Sequence, residues 1–291
     1  MINPNRILER KKFPYPYLTI ENFFEEEFYK NIETDFPKRT EAGFPQRDFF
    51  LNDPYKVKRF HFETTYGDEF YSKLIARSNV FKLLHDFIYG EKFMKMFLDL
   101  FSKDIENEIG NGFLKSDIKN LSLHKDPYEV KKLFSKYDLK KNKEVFLYRR
   151  FDIGLGEVGY GIFTGGKGIH IDNAQRLISV LFYAGGYKAM NGGEHRIWKK
   201  INNEIKVEKV IRPKPNLLIA SIQNNVSFHD VNPIKEISGT RNAFYIAISC
   251  NNPIWKKIKV NNFNLLYNKN RCKLNLFLKF KKVFQNLFNS V

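Results

Sequence analysis

His170-Ile171-Asp172-Asn173-Ala174-Gln175-Arg176-Leu177-Ile178-Ser179-Val180-Leu181-Phe182-Tyr183 sets a His-x-Asp triplet directly ahead of a short apolar run. The run, Leu177–Tyr183, reads as a strand. From about Glu144 onward similar runs recur: Val145–Tyr148, Tyr160–Phe163, His195–Trp198, Ile205–Ile211, Leu217–Ile222, Val226–Val231 and Ala243–Cys250. Gly, Asn and Pro separate them, and Asn202-Asn203 reads as a hairpin tip. Many short strands at close spacing predict an all-β sandwich or barrel for this half of the chain.

Upstream the pattern differs. Tyr17–Ile20 predicts a strand, followed by a helix with Asn22 as N-cap and Glu25-Glu26-Glu27 in its first turn. Ser78–Tyr89 and Glu91–Ile109 carry apolar residues at helical spacing, with Gly90 between them. Thr40–Tyr66 is loop-like, and Lys115–Lys143 reads as a charged surface insertion. The expected fold is therefore α+β. A double-stranded β-helix, or jelly roll, forms the core over 144–252, with the helices of 1–143 packed against it. A tail over 253–291 follows, within one continuous catalytic domain.

The chain has 291 residues, enough for a substantial core, and a net charge of +17. No acidic residue follows Glu236, and ten Lys or Arg lie between Arg241 and the end. In the tail Phe277, Phe280, Phe284, Leu287, Phe288 and Val291 share one helical face, with Lys279 and Lys282 opposite. That predicts a basic amphipathic helix. Docking on the protein's own sheet is its first expected role; residues 273–291 binding an anionic membrane surface is the second. Cys250 and Cys272 form neither a metal pattern nor a disulfide framework. The first residues, Met1–Arg6, show no apolar signal region, and no stretch is apolar enough to span a bilayer. The expectation is a cytoplasmic protein, or one peripheral on a membrane.

His-x-Asp alone is a weak signal. His124-Lys125-Asp126 repeats it in the charged insertion, and His61-Phe62-Glu63 comes close in an aromatic loop. Setting favours His170, which follows the turn Gly165-Gly166-Lys167-Gly168 and precedes a strand. Residues i and i+2 of a strand point the same way, so His170 and Asp172 can meet one metal. His229, in Ser227–Val231, can supply a third ligand from a facing strand. Two imidazoles and a carboxylate are a ligand set that holds non-haem Fe(II) and leaves positions open. Arg241 heads the last run and adds a fixed cation suited to the far carboxylate of a dicarboxylic co-substrate. Together these residues suggest an iron enzyme that uses 2-oxoglutarate and O2.

The segment Tyr160–Cys250 resembles the prolyl-4-hydroxylase-like branch of the Fe(II)/2-oxoglutarate dioxygenases. The resemblance runs through His170–Asp172, Arg176–Tyr183, Gly192-Gly193-Glu194, Lys214–Leu218, Ser227–Ile234 and Gly239-Thr240-Arg241. Tyr15–Ile20 and Asp35-Phe36-Pro37 also resemble the leader of bacterial and viral members. It implies that His170, Asp172 and His229 bind iron and that Arg241 pairs with the distal carboxylate of 2-oxoglutarate. Tyr160 and Tyr183 are its candidates for further co-substrate contacts, and ascorbate is a candidate reductant. Related halogenases carry a small residue at the position of Asp172, so the intact aspartate implies hydroxylation. Ala247 stands where nucleic-acid repair members usually carry a second arginine, which speaks against that branch. His195 is polar where apolar or small residues are commoner, and is expected to face solvent.

The implied activity is hydroxylation of a peptidyl residue, an amino acid or a sugar in a glycan, with release of succinate and CO2. The competing expectations are a cupin-like, non-catalytic metal-binding module, or a membrane- or nucleic-acid-binding protein acting through its basic tail.

Overall fold

The computed structural model describes residues 1–38, 40–41, 60–63, 69–111, 113, 122–123, 145–157, 169–201 and 204–256. Tyr160–Phe163, the turn Gly165–Gly168, the charged insertion apart from residues 122–123, with its His124 triplet, Asn202-Asn203 and the amphipathic tail from 257 onward fall outside those residues. No helix among the described residues is long and apolar enough to cross a membrane.

The chain runs β1 (Ile7–Lys11), β2 (Tyr17–Glu21), α1 (Glu26–Asp35), β3 (Phe60–Glu63), α2 (Glu69–Arg77), α3 (Asn79–Tyr89), α4 (Glu91–Leu100), α5 (Ser102–Asn111) and β4 (Ser122–Leu123). It continues through β5 (Phe146–Gly156), β6 (Arg176–Tyr183), β7 (Tyr187–Asn191), β8 (His195–Ile201), β9 (Glu204–Ile211), β10 (Leu217–Ile222), β11 (His229–Val231), β12 (Glu236–Gly239) and β13 (Arg241–Cys250). The main sheet has eight strands in the order β1-β2-β10-β6-β13-β5-β3, with β4 alongside β5. Its pairings are antiparallel except β4 with β5. A three-stranded sheet, β11-β8-β9, and a two-stranded one, β12-β7, complete it. The architecture is mixed α and β with antiparallel sheets, as the alternation of short runs predicts.

Strand alternation divides the main sheet into two faces. Phe182 lies opposite Phe244 across β6 and β13, and Phe244 lies opposite Ile153 on β5. These rings meet the helical layer. Phe182 stacks on Phe244 at 5.6 Å, Phe244 meets Phe81 of α3 edge-on, and Phe151 meets Tyr71 of α2. Aromatic rings thus bury one sheet face against the helices. The opposite face carries Ser179, Leu181 and Tyr183 on β6, with Ala243, Tyr245 and Ala247 on β13. Tyr15, Tyr17, Leu181, Tyr183, Ile197, Ile211, Leu217, Ile219 and Ala243 pack into one cluster, with Tyr245 against it. The main sheet and the β11-β8-β9 sheet thus enclose a common interior.

Several local expectations change. Asn22 does not cap α1. It adopts a left-handed conformation (φ 53°), which its short side chain tolerates, and the cap position falls three residues later at Glu25, without a side-chain cap bond. The helix expected over Glu91–Ile109 divides at Phe101 into α4 and α5. The run Val226–Val231 pairs as a strand only from His229. Ahead of it the Asn224 side chain accepts from the Val226 amide, and Ser227 Oγ accepts from the Asn224 amide, closing a turn instead. Ser78 does cap α3: its hydroxyl accepts from the Phe81 amide and donates to Asp35 at 2.6 Å.

Candidate metal centre

His170, Asp172 and His229 converge. One ligand atom from each lies within 4.8 Å of the others. The two histidines form an isolated antiparallel bridge, each amide donating to the other's carbonyl at 3.0 Å. Their rings lie 4.5 Å apart. His229 comes from β11, whose pairing with β8 sets its direction: His229 faces Ile197, and Val231 faces His195. The other side of β11 is pinned by Asp230, which accepts from the Arg196 guanidinium and from Trp198 Nε1 at 2.8 Å. The turn before β8 requires glycine at 192. Its φ is +92°, and a Cβ there would stand 1.9 Å from the Pro233 carbonyl oxygen.

The protonation pattern suits a cation. His229 Nδ1 lies 2.9 Å from the Ser227 carbonyl, which can only accept, so this nitrogen carries the proton and Nε2 is left for a ligand bond. That Nε2 lies 3.9 Å from the Asp172 carboxylate, and His170 Nε2 lies 4.0 Å from it. Burial pushes the Asp172 carboxyl up, but Arg176, then His229 and His170, and the Ser179 hydroxyl outweigh it and hold it well below the usual carboxylate range. Arg176 reaches Asp172 at 2.8 Å, and Ser179 Oγ donates to the same carboxylate at 2.8 Å. The loop between Asp172 and β6 is strapped from behind. Cys250 N donates to Gln175 O, Ile254 N to Ala174 O and Trp255 Nε1 to Arg176 O.

Arg241 is fully buried. Its guanidinium lies 4.9 Å over the Tyr183 ring and donates to the hydroxyls of Tyr183 and Tyr245 at 3.5 and 3.3 Å. The guanidinium is thus held at a fixed place on the interior face of the main sheet, between two phenols. Burial also raises the Tyr187 phenol to about 12, helped by Tyr183. Tyr15 stands behind the triad. Its hydroxyl donates to the Phe228 carbonyl at 3.3 Å, and burial, then the Asp172 charge, push its pKa well up.

No protein-family model matches the chain, and no curated protein matches it. Among solved structures its neighbours include 2-oxoglutarate/Fe(II) oxygenases. A prolyl 4-hydroxylase from Phytophthora capsici is 13% identical, covering 88% of this chain and 68% of that one, with a TM-score of 0.44. A Pseudomonas putida prolyl-4-hydroxylase is 10% identical over 80% of this chain and 91% of that one (TM-score 0.39). A 2OG-Fe(II) oxygenase family oxidoreductase from Burkholderia pseudomallei is 14% identical over 62% of this chain (TM-score 0.33), and the chain spans 60% of its length. At such identities and overlaps the chemistry has to be argued from the residues themselves.

Of the residues singled out in the sequence, the structure brings together His170, Asp172 and His229. It buries Arg241 against Tyr183 on the face of the main sheet that looks into the same interior. Tyr160 lies outside the described residues. His195 does not face solvent: it points inward, its ring 5.6 Å from that of His229. Strand pairing is the reason, because Arg196 and Trp198 take the outer face of β8 to reach Asp230, which leaves His195 and Ile197 inside. Sequence reasoning missed Ser179, Arg176 and Tyr245. Tyr245 carried a usable signal, since it lies four residues along the strand from Arg241 and so on the same face.

Proposed function

We propose that the chain is an Fe(II)- and 2-oxoglutarate-dependent dioxygenase with a jelly-roll core, hydroxylating an unactivated C–H bond and releasing succinate and CO2. The observation that carries this reading is the pairing of two features in one interior. A two-histidine, one-carboxylate cluster stands on one side, and a fully buried arginine ringed by phenols stands on the other. A structural zinc site would need the first but not the second, because zinc has no use for a buried anion receptor.

The donor set fits iron: two imidazoles and one carboxylate leave positions open for a chelating co-substrate and O2. When bound, the metal and 2-oxoglutarate supply the oxidative chemistry. The chain's residues supply placement. His170 and His229 would hold the metal through imidazole nitrogens, the second with its tautomer set by Ser227. Asp172 stays anionic and is aimed by Ser179 and Arg176. Arg241, with Tyr183 and Tyr245, would hold the distal carboxylate and so fix the co-substrate's direction. Burial of this corner excludes water from the ion pair and strengthens it.

The substrate is proposed as a peptidyl residue, a free amino acid or a sugar of a glycan. Purified protein with Fe(II), ascorbate and 2-oxoglutarate is expected to form succinate slowly without substrate. Incubation with metabolite and peptide pools is expected to yield a product heavier by one oxygen, about 16 mass units, only when 2-oxoglutarate is present. His170→Ala and Asp172→Ala should each abolish succinate formation; turnover at the parent rate in either variant would overturn the assignment.

A further inference from the structure

We infer that His195 is a co-substrate-binding residue, its imidazole N–H donating a hydrogen bond to the keto-acid end of 2-oxoglutarate beside the metal triad. The inference rests on the dioxygenase reading above and adds a contact to it.

Four observations place the ring there. First, β8 alternation turns His195 inward next to the buried Ile197, and its cross-strand partners, Val231 and Ile211, are apolar. Second, its ring is 5.6 Å from the ring of His229, one diagonal step along the same sheet face. Third, neither ring nitrogen hydrogen-bonds to any described residue, whereas His229 spends its Nδ1 on Ser227. Fourth, the fields of His229, Arg241, His170 and Asp172 all reach it, so it shares their interior. The half-buried ring therefore has nitrogens available to a ligand in that interior. A ligand chelated at the triad would lie beside it. Imidazole carries an N–H in either protonation state, so the contact needs no titration. The ring contact with His229, a member of the triad, assigns the contact to the keto-acid end.

The metal cluster itself does not take in His195, since the three mutually close ligand atoms belong to His170, Asp172 and His229. A fourth protein ligand would occupy a position that O2 chemistry needs, so the two roles lead to opposite results.

The test is calorimetric binding of 2-oxoglutarate and of oxalate to protein loaded with Mn(II) under anaerobic conditions, with Mn(II) affinity measured separately. Oxalate chelates the metal but has no distal carboxylate. His195→Leu is expected to weaken both ligands by roughly tenfold or more, as for a lost hydrogen bond to a charged group. His195→Gln, which keeps a donor, should recover part of that loss. Arg241→Ala should weaken 2-oxoglutarate and spare oxalate. If His195→Leu does not fold, His195→Met makes the same donor-free comparison.

Unchanged binding of both ligands in the donor-free variant overturns the inference, and so does a loss confined to 2-oxoglutarate. Loss of Mn(II) affinity with unaltered ligand affinity at saturating metal would make His195 a metal ligand instead. If the parent protein binds neither ligand with metal present, the dioxygenase reading itself falls. Normal parent binding with an indifferent His195 removes this inference alone.

Discussion

His170 and His229 are tied to each other through their backbones, each amide bonded to the other's carbonyl at 3.0 Å. Two side chains on paired residues of facing strand segments cannot drift apart without breaking that bridge. The two imidazoles are therefore held near each other by the fold, and Asp172 enters from two residues along the same segment as His170.

Metal binding to such a site should register as stability, because an ion that binds only the folded state stabilises it by mass action. We expect Zn(II), Co(II) or Mn(II) at about one hundred times the dissociation constant to stabilise the protein by about 2.7 kcal/mol. Chelator should reverse the gain. Thermal melts of the parent and of His229→Ala check this, and the variant should show no metal-dependent shift.

Asp172 also anchors two side chains of the protein itself. Asp172→Ala leaves Ser179 without its acceptor and Arg176 without its buried partner. Beyond losing the metal, this variant should lose about 1–3 kcal/mol of stability in the metal-free state. Denaturant unfolding with chelator present separates the two effects.

Asp230 holds the back of the His229 strand through Arg196 and Trp198. Asp230→Ala removes the acceptor for both and is expected to cost about 1–3 kcal/mol, the usual result of leaving part-buried donors without their acceptor. Trp198→Phe, which deletes one hydrogen bond and keeps the ring, should cost only about 1 kcal/mol. Urea midpoints measure both, and a larger loss for Trp198→Phe would contradict the arrangement.

His85 supplies a pH dependence away from the metal. It is buried, its Nδ1 lies 3.0 Å from the Tyr71 hydroxyl, and burial lowers its pKa. The unfolded state therefore takes up a proton first as pH falls. His85 contributes stability that is full above the unfolded value near 6.5 and is lost as pH drops from there toward the folded pKa. Melting temperature should fall over that window. His85→Phe should flatten this limb while losing about 1 kcal/mol overall, because its hydrogen bond with Tyr71 is removed.

Local patterning already carried much of the fold. Short apolar runs between turn formers identify β6, β8, β9, β10 and β13 because a strand's side-chain period is a property of a few neighbouring residues. The same holds for α3, whose cap and apolar stripe lie within one segment. The run Val226–Val231 misled for an equally local reason: Asn224 and Ser227 compete for the backbone amides and turn most of it into a bend. β1, β7 and β12 had no apolar signature, since their residues are mostly exposed or half-buried edge positions.

The site divides along the same line. His170, Asp172, His229 and Arg241 could be proposed as a site from residue type, order and setting, because metal and carboxylate chemistry restricts which side chains can serve. Only the tertiary structure decided which way His195 points, that Ser179 and Arg176 aim Asp172, and that Tyr183 and Tyr245 both meet Arg241. Those relations join strands that are neighbours in space but distant in the chain. Register between such strands is set by the packing of both sheet faces at once, one against the helices and one around the interior, and no local stretch of sequence contains that information.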